Sequence, residues 1–435
     1  MKDTHGYALS GCNARALEQF ELALNEFRCF AGNPIATADA ALAESPALVM
    51  AHVLRAWLYL LSAEAGGVAP AREALEAARL LPCNEREAWH LRAIDQLCEG
   101  NWRAAALTLE DLSAHYPLDT LALQAGQQID FFVGDSRMLH DRIARVLPAW
   151  SPAVPGWHAV LGMHAFGLEE TGHYAQAELL GRQAVELQPH DVWAQHAVAH
   201  VLEMQGRRAE GIKWMRGNAG WQTDSFLAVH NWWHLALYHL ALGDTAEVLA
   251  LYDGPIHGHK PDVHVELVDA SALLWRLSLQ GVDVGRRWQL LAERWAPFAG
   301  DGYYAFSDWH AAMAFVGAGR EDLLQALLQA QQEAMAGHGD NAAFTREVGW
   351  AATQGFIAFG QQDWAQAVSL LRPILSQSHR FGGSHAQRDV IGQTLLAAVQ
   401  RSGQHALAQA LDRERKAVAR QRQPAIHGDL AAMSA

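Results

Sequence analysis

The chain has 435 residues, a formal net charge of −14, 50% apolar residues and 18% charged residues. The negative charge argues against nucleic-acid binding or attachment to an anionic membrane, because both need a basic face. With half of its residues apolar, the chain can build a large core, so extensive disorder is not expected.

The cysteines and the N-terminal region favour a soluble cytoplasmic protein. The first six residues open no apolar run of the kind found in a signal peptide. The most apolar stretch, residues 47–61, contains His52 and Arg55, and an arginine at a membrane centre costs about 2.5–3.5 kcal/mol. The four cysteines have no paired spacing, which is typical of a reducing compartment. We therefore expect no membrane partner.

A helical repeat is the main feature of the sequence. Trp89 opens a first helix, Ala93 allows close packing, Gly100 ends that helix, Trp102 begins a second one and Pro117 stops it. This order of residue types is that of a tetratricopeptide unit. A second unit has the same residue types at matching offsets: Ala165, Gly172, Tyr174, Ala177, Ala184 and Pro189.

Glycines at regular intervals extend this repeat through most of the chain. Their spacing of 34 to 43 residues is close to the roughly 34 residues of one helical hairpin. The predicted helix-ending glycines are Gly100, Gly134, Gly172, Gly206, Gly243, Gly281, Gly319, Gly360 and Gly403. Most tryptophans should pack in the core, including Trp57, Trp89, Trp102, Trp193, Trp275 and Trp364.

The predicted fold class is all-α, a tetratricopeptide-like superhelix of antiparallel helix pairs in a single domain, 1–435. Residues 1–85 should form N-terminal helices, 86–410 the repeat array, and 411–435 a capping helix and tail. The residues after Pro424 are expected to be disordered.

Two neighbouring units carry histidine pairs in their first helices. His196, His200 and Glu203 are spaced by four and three residues, and His230 and His234 by four. Such spacings place side chains on one helix face, and the repeat register makes it the inner, concave one. Because the first helices of adjacent units lie side by side, the four imidazoles should converge.

Three interpretations of these histidines remain open. Histidines four residues apart on a helix can bind one metal ion, and the four-histidine set would then be the metal ligands. A polar network for ligand binding or catalysis, without metal, is favoured over that, and a purely structural role is the third. The sequence names no metal and no cofactor.

Further polar residues lie in otherwise apolar first helices. They are Asp269, Asp308 and His310, with Glu347 close to Trp350. A carboxylate buried beside an imidazole raises the imidazole pKa and orients the ring, which suits general acid–base chemistry. Asp308 has an equally simple alternative, the capping of its helix.

Residues 381–389 combine a Gly-Gly-Ser turn with an arginine. Ser384 is the expected N-cap of the following helix, and Arg388 with the helix N-terminus could hold a carboxylate or phosphate. The alternative is a structural arginine that pairs with Asp389 or Glu347 and fixes the turn.

Several motifs together resemble the tetratricopeptide repeat protein 38 family. They occupy residues 199–204, 230–238, 251–253, 307–310 and 382–390, and the resemblance runs from about 45 to about 400. His385 departs from it, since an asparagine is expected there. The resemblance implies an α-helical repeat protein and no particular reaction.

The predicted function is the binding of a small polar molecule or a peptide in a concave pocket rich in histidine and carboxylate. The alternative is an enzyme that uses this pocket for acid–base or metal-dependent chemistry. The pocket candidates are His196, His200, Glu203, His230, His234, Asp269, Asp308, His310 and Arg388.

Overall fold

The computed structural model describes residues 1–424, and these residues are helical almost throughout. The only strand-like pairings in this range are two isolated bridges, Lys2 with Ala8 and Ala31 with Ser225. The predicted all-α class is therefore confirmed. The helices are α1 (Ala14–Cys29), α2 (Pro34–Glu44), α3 (Val49–Leu60), α4 (Ala65–Arg79), α5 (Glu85–Cys98), α6 (Trp102–His115), α7 (Thr120–Phe132), α8 (Ser136–Val146), α9 (Trp157–Glu170), α10 (Tyr174–Leu187), α11 (Val192–Met204), α12 (Arg208–Gly217), α13 (Ala228–Ala241), α14 (Thr245–Leu251), α15 (His264–Leu279), α16 (Arg287–Trp295), α17 (Ala305–Ala318), α18 (Glu321–Ala336), α19 (Asp340–Phe344), α20 (Trp350–Gly360), α21 (Trp364–Ile374), α22 (His385–Arg401) and α23 (His405–Arg422).

Helix boundaries follow from the local sequence. The first helix of each predicted unit ends within two residues of its glycine, as α5 does before Gly100 and α11 before Gly206. All the predicted glycines except Gly360 have a positive φ, which glycine adopts without steric cost. Gly360 instead lies inside the last turn of α20, and Gln362 takes the left-handed position, with φ of 62°.

The helices pack as successive antiparallel pairs, such as α5 with α6, α9 with α10 and α20 with α21. The first helices of neighbouring units also contact each other: α9 packs against α11, and α13 packs against α15. Trp57, Trp102 and Trp275 are buried, whereas Trp89, Trp193 and Trp364 are half-buried against the same core. The core is thus built from the inner faces of the pairs.

The array also makes contacts between units that are far apart in sequence. Trp102 of α6 packs on Tyr304, with ring centroids 5.2 Å apart, and on Phe344 of α19 at 6.0 Å. The loop between α1 and α2 also contacts the loop between α12 and α13, where the Gly32 backbone N–H donates to the Asp224 carbonyl oxygen at 2.8 Å. The superhelix therefore closes on itself, and its inner surface is enclosed.

The helix α22 fills part of the inner surface. It contacts α11 and α15 as well as its sequence neighbours. The predicted capping helix is present as α23, which is largely exposed, and the predicted tail after Pro424 lies outside the described residues. Within residues 1–424, no helix is both long and apolar enough to span a membrane.

Candidate functional site

Two neighbouring helices bring four histidines together. His196 and His200 share a face of α11, and His230 and His234 share a face of α13. Because the two helices pack side by side, one ring nitrogen from each histidine lies within 4.8 Å of those of the other three. The convergence expected from the repeat register is present, and these residues are here named the four-histidine cluster.

The cluster is tight and closed to solvent. The Nε2 atoms of His196 and His230 are 3.0 Å apart, and the ring centroids of His200 and His234 are 4.4 Å apart. No member is more than 7% exposed. The cluster is therefore part of the interior.

Asp269 of α15 orients one member of the cluster. The Nδ1 atom of His230 donates to the Asp269 carboxylate at 2.9 Å, which leaves the Nε2 lone pair of His230 directed at His196. Burial raises the pKa of Asp269, and the nearby His230 opposes that effect. The predicted association of Asp269 with the histidines is observed.

The other imidazoles are held neutral. Burial lowers the pKa of His200 to about 3 and also places the pKa values of His196 and His234 well below the usual 6.5. Among residues 1–424, neither ring nitrogen of His200 or His234 has a hydrogen-bond partner. Each of these two neutral rings therefore has one lone-pair nitrogen and one N–H group without a partner.

Aromatic side chains surround the cluster. The Phe166 ring lies 5.3 Å from His200, the Trp193 ring 4.9 Å from His196, and the Trp233 ring 5.0 Å from His234. An apolar wall of this kind excludes water and strengthens any electrostatic interaction inside.

Two adjacent carboxylates at the end of α9 extend the cluster. Glu169, Glu170 and His200 each place one ligand atom within 4.8 Å of the others. Burial and the neighbouring Glu170 hold the pKa of Glu169 well above its usual value. Burial would also raise the pKa of Glu170, but His385 and Arg388 outweigh it and lower that pKa to about 2. The pKa values of the two carboxyl groups are thus shifted in opposite directions.

Glu170 occupies the N-terminus of α22. Its carboxylate accepts from the His385 backbone N–H at 3.0 Å and from His385 Nδ1 at 2.8 Å, while Arg388 Nη2 lies 3.9 Å away. The anion position expected near Arg388 is therefore filled by a carboxylate of the chain itself. This pairing joins residues 215 positions apart.

Arg388 combines parts of both expected roles, because it lies 3.9 Å from the Glu170 carboxylate and also binds the turn before α22. Its guanidinium donates to the carbonyl oxygens of Gly382 and Gly383. The expected partners are engaged elsewhere, Asp389 with Arg415 at 2.7 Å and Glu347 with Arg380 at 3.0 Å. The pairing of Arg388 with Asp389 or Glu347 is therefore wrong.

The turn before α22 is capped as expected. The Ser384 side chain accepts from the Gln387 backbone N–H, and the Gln387 side chain accepts from the Ser384 N–H. This reciprocal pair is a capping box, and it fixes the start of α22 beside Glu170.

A cavity of about 930 Å³ lies between α11, α15, α22 and α23. Its wall includes Glu170, Glu203, Arg276 and Arg388. Within residues 1–424, no member of the four-histidine cluster lines it, so the cluster lies outside the wall of this cavity. Helix α22 packs onto α11 and α15, and the rings of Phe166, Trp193 and Trp233 lie around the cluster.

Glu203 and Arg276 are two ionisable residues of this wall whose pKa values are shifted by burial. Burial raises the pKa of Glu203 to about 7, and its Oε2 atom has no hydrogen-bond partner in the described part of the chain. Burial also lowers the pKa of Arg276 to about 10. The Arg276 guanidinium donates to the Ala386 carbonyl oxygen at 2.7 Å and lies over the Trp233 ring at 5.4 Å.

Asp308 and His310 do not join the four-histidine cluster. Both lie on α17, which packs against α15, whereas the cluster lies between α11 and α13. His310 Nδ1 bonds to the Phe306 carbonyl oxygen at 2.8 Å, and burial lowers the His310 pKa to about 3. Asp308 is not the cap of α17 either, because the cap position is Tyr304. Their place in the pocket with the histidines stays a prediction, since they lie on a different helix from the cluster.

Sequence reasoning missed Glu169, Glu170, Arg276 and His385. Glu169 and Glu170 lie in the last turn of α9, where the helix dipole makes negative charge unfavourable. Two acidic residues at such a position could have been recognised from the sequence as candidates for a functional role. Arg276 is a charge within the apolar run of α15, the same pattern that identified Asp269. His385 was visible only as a departure from the family pattern.

No protein-family model matches the chain. The site is therefore interpreted from its own chemistry.

Proposed function

We propose that this protein binds a small polar molecule in the cavity between α11, α15, α22 and α23. The observation that carries the proposal is Glu203, a residue of the cavity wall whose buried Oε2 atom has no hydrogen-bond partner among residues 1–424. A buried polar atom left unpaired costs about 1–3 kcal/mol, so a ligand that donates a hydrogen bond there gains affinity.

The charges of the cavity wall indicate the class of ligand. Glu203 offers an acceptor for an ammonium or hydroxyl group, while Arg276 and Arg388 supply positive charge nearby. A zwitterion that carries an ammonium and a carboxylate, such as a free amino acid, fits both signs. The volume of about 930 Å³ lies within the 300–1,000 Å³ usual for small-molecule sites. A small molecule is therefore preferred over a peptide.

A specific observation supports the second candidate, an enzyme. Burial raises the pKa of Glu169, His385 and Arg388 lower that of Glu170, and His200 lies beside both. Neighbouring carboxyl groups with separated pKa values are the arrangement used for general acid and general base roles. Glu170 also lines the cavity, which would bring it to a bound substrate.

The binding proposal is tested by thermal unfolding with a panel of free amino acids, small dicarboxylates and diamines. A ligand at 100 times its Kd adds about 2.7 kcal/mol to folding stability, which raises the melting temperature. We expect an ammonium-bearing compound to give such a rise, and Glu203→Gln to weaken its binding about tenfold, the loss of one charged hydrogen bond.

The matched control is Glu186→Gln, since Glu186 is exposed on α10. This variant should bind the ligand as the wild type does. A panel without any stabilising compound, or equal binding by the Glu203→Gln variant, would contradict the proposed site.

We also propose that the chain is a member of the tetratricopeptide repeat protein 38 family and acts in the cytoplasm. The motifs at 199–204, 230–238 and 382–390 support the first statement. Four free cysteines support the second, because reducing compartments keep thiols unpaired.

A further inference from the structure

The four-histidine cluster presents more buried ring nitrogens than the chain can satisfy. Within the described residues, His196 Nδ1 and both ring nitrogens of His200 and of His234 have no hydrogen-bond partner. Buried polar groups are almost always paired in folded proteins, and each exception calls for an explanation such as a bound ion. Five such atoms in one cluster exceed what a structural hydrogen-bond network would leave.

The spacing of the ring nitrogens within the four-histidine cluster suits one metal ion. Zn–N bonds of about 2.0–2.1 Å place the nitrogens of a tetrahedral site about 3.4 Å apart. The cluster has one pair, His196 Nε2 and His230 Nε2, at 3.0 Å, and the four ligand nitrogens are all within 4.8 Å of one another. The required distance falls between these two values.

Two carboxyl groups beside the histidines lie where they could orient the imidazoles for metal binding. Asp269 accepts from His230 Nδ1 at 2.9 Å, so that His230 turns Nε2 toward the other rings. Histidines that bind metal commonly hold such a carboxylate at their other nitrogen. Glu169 Oε2 lies 3.6 Å from His200 Nδ1 and could serve His200 in the same way.

The charge balance points to a divalent cation. Asp269 and Glu169 are buried carboxyl groups beside four imidazoles. A cation held by the four imidazoles would lie close to both carboxyl groups, and a divalent ion there would favour their ionised forms. Buried charge without such compensation is strongly unfavourable.

We propose that the four-histidine cluster binds one first-row divalent transition-metal ion, with Asp269 as a positioning residue. Imidazole ligands select zinc, copper, nickel, cobalt or iron over magnesium and calcium, which prefer oxygen. The aromatic wall formed by Phe166, Trp193 and Trp233 encloses the ion. The metal site is separate from the Glu203 wall of the cavity, and neither proposal depends on the other.

The test uses full-length untagged protein, freed of metal with a chelator and then dialysed against Co²⁺ or Zn²⁺. Metal per chain is measured by mass spectrometry, and Co²⁺ binding is followed by visible absorption. We expect one ion per chain for the wild type. The double variant His200→Gln, His234→Gln should lose this uptake, and His158→Gln should keep it, because His158 bonds to Asp191 outside the cluster.

Asp269→Asn tests the positioning role without removing a ligand. The substitution should weaken metal binding by about 10–100-fold, the usual effect of losing an outer carboxylate. If Asp269 served only the fold, the melting temperature of the metal-free protein would change and the metal Kd would not. Glu203→Gln should leave metal uptake intact, even though the cavity ligand is affected.

Two results would overturn the proposal. The first is wild-type protein that binds neither Co²⁺ nor Zn²⁺, and this measurement stands even if the double variant fails to fold. The second is unchanged uptake by a folded double variant. Either result would assign the four-histidine cluster to packing alone.

Discussion

Asp308 shows how a single buried carboxyl group can make folding depend on pH. Its Oδ2 atom has no hydrogen-bond partner in residues 1–424, and burial raises its pKa to about 8, with Asp301 contributing. In the unfolded chain the pKa is about 3.9. Between these two values the unfolded state releases a proton that the folded state retains. Stability contributed by Asp308 is therefore complete below about pH 4 and is lost as the pH rises toward 8.

The substitution Asp308→Asn should remove this pH dependence, because the amide has a similar shape and does not ionise. We expect the variant to be more stable than the wild type at pH 8 by several kcal/mol, since a shift of about four pKa units at about 1.36 kcal/mol each sets an upper bound of about 5–6 kcal/mol. The difference should shrink toward pH 4. Urea unfolding at several pH values measures it.

The control is Asp111→Asn, because Asp111 is exposed on α6. This variant should follow the wild-type pH profile. If Asp308→Asn instead kept the wild-type slope, the buried carboxyl group of Asp308 would not be its source.

At the residue scale, the sequence could predict which side chains share a helix face. The spacing of four residues placed His196 beside His200 on α11, and His230 beside His234 on α13. It could not predict that Glu170 would meet His385, because that pairing joins α9 to α22 across 215 positions. Local periodicity carries no information about such a contact.

At the scale of single helices and turns, two glycines that end helices share a left-handed conformation but have different surroundings. Gly134 has φ of +72°, and a Cβ atom there would lie 1.7 Å from the His379 carbonyl oxygen. Gly172 has φ of +84°, and a Cβ atom there would meet nothing within 4 Å among the described residues. The α7–α8 turn at Gly134 therefore contacts a distant segment, whereas the α9–α10 turn at Gly172 is open.

Alanine at these two positions should separate the conformational cost from the steric one. Gly172→Ala should cost about 1–2 kcal/mol, the penalty of a left-handed residue with a Cβ atom. Gly134→Ala should cost several kcal/mol, because the backbone at His379 must also move. Urea denaturation of the two variants measures the difference, and equal costs would contradict the close approach at Gly134.

The glycine spacing predicted helix ends well because the left-handed turn is a local requirement. Even the exception follows local rules, since Gln362 takes the left-handed position two residues after Gly360. The same spacing could not distinguish Gly134 from Gly172. That difference depends on residues 375–381, which reach the α7–α8 turn only when the whole array has formed.

At the scale of the whole molecule, closure of the array accounts for the burial of the histidines. Phe30, from the loop after α1, stacks on Trp193 with ring centroids 5.1 Å apart. Trp193 in turn contacts His196 at 4.9 Å. The expectation of a concave pocket lined by the histidines came from solenoids whose units contact only their neighbours. The sequence could not reveal closure, because closure depends on the summed rotation of every unit.

Closure also predicts how the protein responds to the loss of Trp102. An open array would transmit the loss of this side chain only to adjacent units. Here Trp102 contacts Tyr304, just before α17, and Phe344 of α19. Trp102→Ala should therefore lower stability by about 3–5 kcal/mol and increase hydrogen exchange in α17 and α19, more than 200 residues away in sequence.

Hydrogen exchange read by mass spectrometry measures this effect segment by segment. The control is Trp57→Ala, since Trp57 is equally buried and its indole N–H donates to His90 of α5 at 3.1 Å. Its loss should raise exchange in α3 to α5 and leave α17 and α19 protected. If Trp102→Ala raised exchange only between α5 and α8, the distant contacts would add no stability. The enclosed interior around the four-histidine cluster would then have to be maintained by neighbouring helix pairs alone.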